Sequence, residues 1–188
     1  SQLIQVPTEE EYICSILPTK LENIIKFLNS NNFILEDSYL HMYVKVNEIL
    51  VQKIEGYQIV NAKLEQATEI LQLLRNTFVR ITSELPKEEE LLELIKENKI
   101  LLILNNTNDI CGCVQQEVTE SGMMIRHLMV VDGHKGKRLG YYLLQHSLQN
   151  YIGKESVLWV KSDNIPAYNL YKKSGYELDG RIMLNYIL

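Results

Sequence analysis

The residues with the clearest chemistry lie in the stretch LMVVDGHKGKRLG, residues 128–140. An apolar run leads into Gly133, Lys135, Gly136, Lys137, Arg138 and Gly140, and a leucine-rich segment of helical spacing follows. A glycine-bearing loop that feeds a helix N-terminus presents backbone N–H groups at the positive end of the helix dipole. Such a loop binds phosphates, and glycine lets the backbone approach the anion closely. No Gly-Lys-Ser or Gly-Lys-Thr closes the loop, so it is not a Walker sequence, and no GxGxxG fingerprint is present. On spacing alone it is either a phosphate cradle or a basic turn with a helix start. Cys111 and Cys113 form a C-x-C inside a strand-like run. They lack the further Cys or His at ligand spacing that a metal site needs. The pattern predicts two small side chains on one strand face.

A second segment, NIPAYNLYKKSGYE at residues 164–177, follows an apolar strand-like run. Together the two segments resemble the signature segments of the GNAT superfamily of N-acetyltransferases. The family's loop pattern, roughly V-x-P-x-y-R-G-x-G-x-G, has its counterparts here in Val130, Asp132, Lys135, Gly136, Arg138 and Gly140. The later pattern, N-x-x-A-x-x-x-Y-x-x-x-G-F/Y, is met at every position by Asn164, Ala167, Tyr171, Gly175 and Tyr176. The resemblance covers residues 57–188. It departs from the pattern at Asp132, where the family has proline, and at Arg138, where it has glycine. Lys135 stands in place of the usual Gln or Arg. Arg138 is expected at negative φ, from which its side chain could reach a pyrophosphate.

The resemblance implies an acyl-CoA donor, acetyl-CoA, as co-substrate, and no metal. Its pantetheine arm would lie along residues 125–130, with Leu128 and Val130 as backbone partners and Met129 beside them. Its pyrophosphate would meet the amides of Lys135, Gly136, Lys137, Arg138, Leu139 and Gly140. Asn164 and Tyr171 complete the coenzyme-binding set. A primary amine of a small molecule or peptide would attack the thioester directly. A backbone N–H near Leu128 or Met129 would stabilise the oxyanion, and Tyr171 would give a proton to the leaving sulfur. An alkyl amine has an ordinary pKa of about 10.4, so the site must also take a proton from it. His127 has a suitable side chain, but strand alternation turns it away from the face shared by Arg126 and Leu128. Glu117 and Glu120 could act through water, and His134 belongs to the loop, so the base stays open. Residues 84–97 carry six acidic and two basic side chains. They form either a rim that attracts a cationic amine or a solvated helix face.

Alternating elements must hold these segments. The spacing predicts a strand over 57–64, a helix on Ala67, Ile70, Leu71, Leu74 and Phe78, and an acidic helix after Pro86. Strands follow at 99–104, 110–118 and 123–131 as an antiparallel meander, then a helix on Leu139, Leu143, Leu144 and Leu148. A strand over 156–161 leads to a helix capped by Asp163 or Asn164, with Pro166 in its first turn and Gly175 at its end. Two strand segments over 176–188 close the chain. The order reads as a mixed, mostly antiparallel twisted sheet with helices on both faces, an α/β (α+β) fold. Residues 1–56 form a separate β-α-β-β piece, with a strand over 11–17, a helix on Leu21, Ile24, Ile25 and Leu28, and one or two strands over 33–46. Residues 27–43 align with residues 170–186, with one extra Asn in the first and Phe27 opposite Tyr171. The piece is either a degenerate half-copy of the fold or an unrelated extension, beside a domain over 57–188.

Composition narrows the class. The chain has 188 residues, 46 % hydrophobic and 23 % charged, enough for a sizeable core. A net charge of −5 argues against a nucleic-acid partner. No apolar run is long enough for a membrane span, and the N-terminal stretch lacks a signal-peptide pattern. Three cysteines without framework spacing fit a cytoplasmic setting. A monomer or homodimer is expected. The alternative to an acetyltransferase is a catalytically weak coenzyme-sensing or protein-binding module on the same fold.

Overall fold

Five α-helices and seven strands follow one another in a computed structural model that describes residues 19–47, 49, 51–78, 84–118 and 120–187. In chain order they are α1 (Thr19–Ser30), β1 (Ile34–Lys45), β2 (Tyr57–Asn61), α2 (Ala67–Thr77), α3 (Glu88–Lys96), β3 (Ile100–Asn105), β4 (Ile110–Val118), β5 (Gly122–Val130), α4 (Leu139–Leu148), β6 (Glu155–Lys161), α5 (Ile165–Lys173) and β7 (Glu177–Ile187). The expected strand over 11–17 lies outside the described residues. Contacts divide the chain into a central unit, Tyr43–Leu158, and a terminal unit, Ser1–Met42 with Trp159–Leu188.

In the central unit the strand order is β2-β3-β4-β5-β6. The pairs from β2 to β5 are antiparallel, and β5 pairs with β6 in parallel. Helix α2 forms because Ala67, Ile70, Leu71 and Leu74 recur at helical spacing and are all buried. Helix α3 begins with Glu88, Glu89 and Glu90 and ends with Lys96, charges that suit the helix dipole. Both helices pack on Ile100, Leu102 and Leu104 of β3. Ile103 points the other way and meets Leu139 and Tyr142 of α4. Strand alternation thus gives β3 two buried faces, which is why its sequence is continuously apolar.

Two register shifts break that alternation. In β4, Ile103 faces Gly112 but Leu104 faces Ile110, which leaves Cys111 as the extra residue. Cys111 therefore packs with Ile103 and α4, whereas Cys113 packs with Leu102 and Met129 under α2. The two thiols lie on opposite faces, not on the one face that simple alternation predicts, because a bulge adds a residue to one strand only. The second shift sets Gln115 opposite His127 but Gln116 opposite Ile125. Arg126 is the extra residue there.

In the terminal unit the strand order is β6-β1-β7. Residues 34–45 form one strand, and residues 177–187 form one continuous strand instead of two segments. Gly180, at φ +84°, takes up the irregularity without ending β7. Buried Asp37 pairs with Lys161, and the Ser38 and Ser162 hydroxyls lie 2.6 Å apart. Asn164 caps α5, accepting the Ala167 N–H at 3.2 Å.

Helices α1 and α5 end in the same way. Asn32 and Gly175 are left-handed, with φ of 64° and 90°. The next residue donates its N–H five positions back, Phe33 to the Leu28 carbonyl and Tyr176 to the Tyr171 carbonyl, each at 3.0 Å. Aligning these caps needs no extra Asn and sets Leu28, not Phe27, opposite Tyr171. Cap geometry corrects the register because the left-handed residue must occupy the same place in both turns.

Gly122 starts the β5–β6 pairing. A Cβ built there meets the Glu155 carbonyl oxygen at 1.8 Å, whereas one at Gly133 meets nothing within 4 Å. Gly122→Ala is expected to cost about 2 kcal/mol or more, a Tm drop of roughly 4–8 °C, with Gly133→Ala nearly neutral. Thermal and denaturant unfolding of the two variants checks this; equal stability would contradict the close approach.

Candidate functional site

The pairing of β5 and β6 sets the site. It runs from Gly122↔Glu155 to Ile125↔Leu158 and ends there, while β5 stays paired to β4 as far as Val130. The Arg126 bulge falls at the point where the parallel pairing stops. Past it, the orientation of each peptide follows from two contacts. Val131 donates its N–H to the Cys111 carbonyl at 2.9 Å. The Met129 carbonyl lies against Gly112, 2.6 Å from where a Cβ on that glycine would sit. Met129 therefore turns its backbone polar groups toward β4, and alternation sends those of Leu128 and Val130 to the opposite edge. The Met129 side chain is buried under α2, where it accepts a 3.5 Å contact from the Thr77 hydroxyl. Of the two residues expected near an oxyanion, Leu128 has the N–H on the open edge.

The open edge leads into the loop. Residues Asp132–His134 form a 3-10 turn, Gly136 takes φ +80°, and Arg138 is the N-cap of α4. The first helical bond runs from the Tyr142 N–H to the Arg138 carbonyl at 3.0 Å, and no side chain caps the end. The amides of Leu139 and Gly140 thus lead the helix at its positive pole. Arg138 has φ +62°, which corrects the expectation of negative φ. The turn into α4 requires a left-handed residue where the family pattern has glycine, and an L side chain bears a cost of about 1–2 kcal/mol to supply it. Gly136 has open space around it, so positive φ, not crowding, calls for glycine there.

The loop's cations differ in what they already hold. Lys135 pairs with Asp132 at 2.5 Å. Lys137 donates to the Tyr57 hydroxyl at 3.2 Å and sits 5.9 Å from that ring's centroid. The same hydroxyl lies 3.0 Å from His134 Nδ1, and His134 Nε2 lies 3.6 Å from the Cys111 thiol. Tyr57 of β2 thereby ties the loop to the sheet, and sequence spacing offered no signal of it across 77 positions. Burial pushes the Cys111 thiol up and the fully buried Cys113 thiol up to about 12. Neither is a ready nucleophile. Among the described residues no three His, Cys, Asp or Glu side chains group as metal ligands.

The base candidates separate clearly. His127 is buried, with Nδ1 2.8 Å from Gln115 Oε1 and its ring 4.9 Å from that of Phe78. It is a packed histidine on the α2 face. Glu117 lies 3.7 Å from Arg126, which also binds Glu84 at 2.7 Å. Glu120 is exposed. Tyr171 and Asn164 belong to the terminal unit. Tyr171 is buried on α5 with its ring 5.7 Å from that of Tyr176, and burial drives its hydroxyl well above the ordinary tyrosine pKa. It keeps its proton at neutral pH, and the same burial makes it a weaker acid than an exposed tyrosine.

The profile described as the acetyltransferase (GNAT) family matches residues 67–176, more than half of the chain. No curated protein is significantly similar in sequence. A GCN5-related N-acetyltransferase from Sphaerobacter thermophilus is similar over 88 % of this chain and 56 % of its own, with a TM-score of 0.71 and 16 % identity. A glucosamine N-acetyltransferase region of a fungal multi-domain GH3 β-N-acetylglucosaminidase is similar over 90 % of this chain and 23 % of its own, at TM-score 0.69 and 11 % identity. A tandem GNAT protein of the clavulanic acid biosynthesis pathway covers 87 % of this chain and 57 % of itself, at 0.60 and 13 %. At these identities the likeness establishes the fold, and the chain spans well under two thirds of each protein's length.

The loop geometry makes two predictions. Asp132→Asn frees Lys135 and should lower the Kd for acetyl-CoA about 2–5-fold at low salt, the gain shrinking at high salt. Arg138→Gly should stabilise the fold by about 1 kcal/mol. Isothermal titration and thermal melting read both; unchanged affinity in the first would show that the ion pair does not compete with the coenzyme.

Proposed function

Because the chain belongs to the GNAT family of acetyltransferases, we propose that it transfers an acetyl group from acetyl-CoA to a primary amine of a small molecule or peptide. The observation that carries this reading is the edge of β5 beyond Ile125, which runs through a glycine-bearing loop to the uncapped start of α4. The backbone of Leu128 and Val130 is suited to pair with an amide-bearing arm. The amides from Lys135 to Gly140 are suited to an anionic pyrophosphate. The amine nitrogen bonds to the thioester carbon, the Leu128 N–H steadies the oxyanion, and the carbon–sulfur bond then breaks. Tyr171 supplies the proton to the departing sulfur. No helix among the described residues is long and apolar enough to cross a membrane, and we place the protein in the cytoplasm as a monomer or homodimer.

A second reading rests on the same loop. Asp132 offsets Lys135 and Arg138 is strained, features of a weak coenzyme site in a sensing or docking module. We also read residues 19–45 as a degenerate copy of residues 162–188, in which Leu28 replaces Tyr171 and removes the proton donor. Titration with acetyl-CoA, CoA and ATP separates the readings. The enzyme should bind both coenzymes but not ATP, and Tyr171→Phe should keep that binding while losing at least about 10²-fold in kcat. Binding without acetyl transfer to any amine favours the sensing module; no binding of either coenzyme defeats both readings.

A further inference from the structure

Within the central unit, two strands and the loop after β5 meet at His134. Tyr57 of β2 has its hydroxyl 3.0 Å from Nδ1, and the Cys111 sulfur of β4 lies 3.6 Å from Nε2. The two ends of this chain fix the direction of each bond. At one end Lys137 meets the Tyr57 hydroxyl at 3.2 Å, and an ammonium group only donates. The Tyr57 oxygen accepts there, which leaves its own hydrogen for Nδ1. At the other end the Cys111 thiol donates to the Asp109 carbonyl at 3.4 Å, and burial pushes its pKa up, so it stays a thiol. Its sulfur is left to accept from Nε2. Both ends demand the same neutral tautomer of His134, with hydrogen on Nε2 and the Nδ1 lone pair facing Tyr57.

A second proton on His134 breaks this arrangement. Nδ1 then carries a hydrogen and has to donate to the Tyr57 oxygen, where Lys137 already donates. Two cations on one acceptor repel each other, and the one free to leave is the exposed Lys137, not the half-buried His134. The other charged groups nearby leave this contest in place. The Asp109 carboxylate is held below the ordinary range by hydrogen bonds from Thr107 and Asn105, and it is close enough to His134 to favour the cation. Asp132, on the same turn as His134, is paired with Lys135.

We infer that His134 and Tyr57 are positioning residues of the coenzyme loop: neutral His134 keeps Lys137 on Tyr57, and protonated His134 releases it to the pyrophosphate. This rests on the reading of the loop as a coenzyme site. Anion and proton then bind cooperatively, each favouring the other to the same extent. Affinity is greatest below the usual histidine range and is lost as pH rises through it.

The test uses dephospho-CoA, whose pyrophosphate diester does not itself titrate in this range. Its Kd for the wild type, read by isothermal titration, should fall about 3–5-fold from about pH 8 to about pH 5.5. His134→Gln gains no proton and should keep the weaker, alkaline Kd at both ends. Tyr57→Phe frees Lys137 and should bind more tightly than the wild type at the alkaline end, with a smaller response to pH. A tie that only braces the loop would instead make Tyr57→Phe bind more weakly at every pH. That result, a flat wild-type profile, or a slope that survives His134→Gln overturns the inference and leaves the acetyl-transfer reading standing. No binding of dephospho-CoA or CoA at any pH overturns both. A measurement on the unmodified protein guards against variants that fail to fold: ¹⁵N shifts of neutral His134 should show Nε2 protonated and Nδ1 bare, and the reverse tautomer overturns the assignment.

Discussion

The candidate coenzyme site depends on where β5 stops pairing with β6. A strand edge without a partner leaves N–H and C=O groups that require satisfaction by water or by a ligand. Gly122 lets the two strands approach closely at the start, and the bulge at Arg126 coincides with the end of that approach. Between these points the strands share a parallel ladder of four residue pairs, so the opening has a defined beginning. The antiparallel ladder to β4 resumes past the bulge and continues to Val130, so β5 stays anchored on one side while its other edge is open.

The loop after β5 is a candidate anion site in a chain of net charge −5. The attraction comes from oriented amides at a helix start and needs little from net charge. The side-chain cations are tempered, Lys135 by Asp132 and Lys137 by the Tyr57 hydroxyl. Tyr57 also engages His134, which itself touches Cys111 in the bulge of β4. The loop is thus tied to two strands of the sheet. A preordered loop loses less conformational entropy when it meets a ligand.

Strand β1 brings three buried polar side chains into the terminal unit. Asp37, Ser38 and His41 of β1 are all buried, and each has a partner within the unit: Lys161, Ser162 and Asp179. Buried charges persist only when paired and hydrogen-bonded. Removing one member of such a set strands its partner, so these residues constrain one another across three strands.

Much of this architecture was legible in the sequence. The period of the apolar residues located the helices and strands of residues 57–188 to within a few positions. Gly175 and Asn164 marked the ends of α5, and the two signature segments pointed to the family. These are local properties, carried by neighbouring residues through helical spacing, strand alternation and capping. The tertiary structure alone decided the rest. Bulges put Cys111 and Cys113 on opposite faces and made Arg126 the extra residue, because register is a property of two strands and cannot be read from one. The turn into α4 imposed positive φ on Arg138 against its own preference. His41 and Asp179 lie 138 positions apart and Tyr57 and His134 lie 77 apart, and only folding brings such pairs within hydrogen-bond reach.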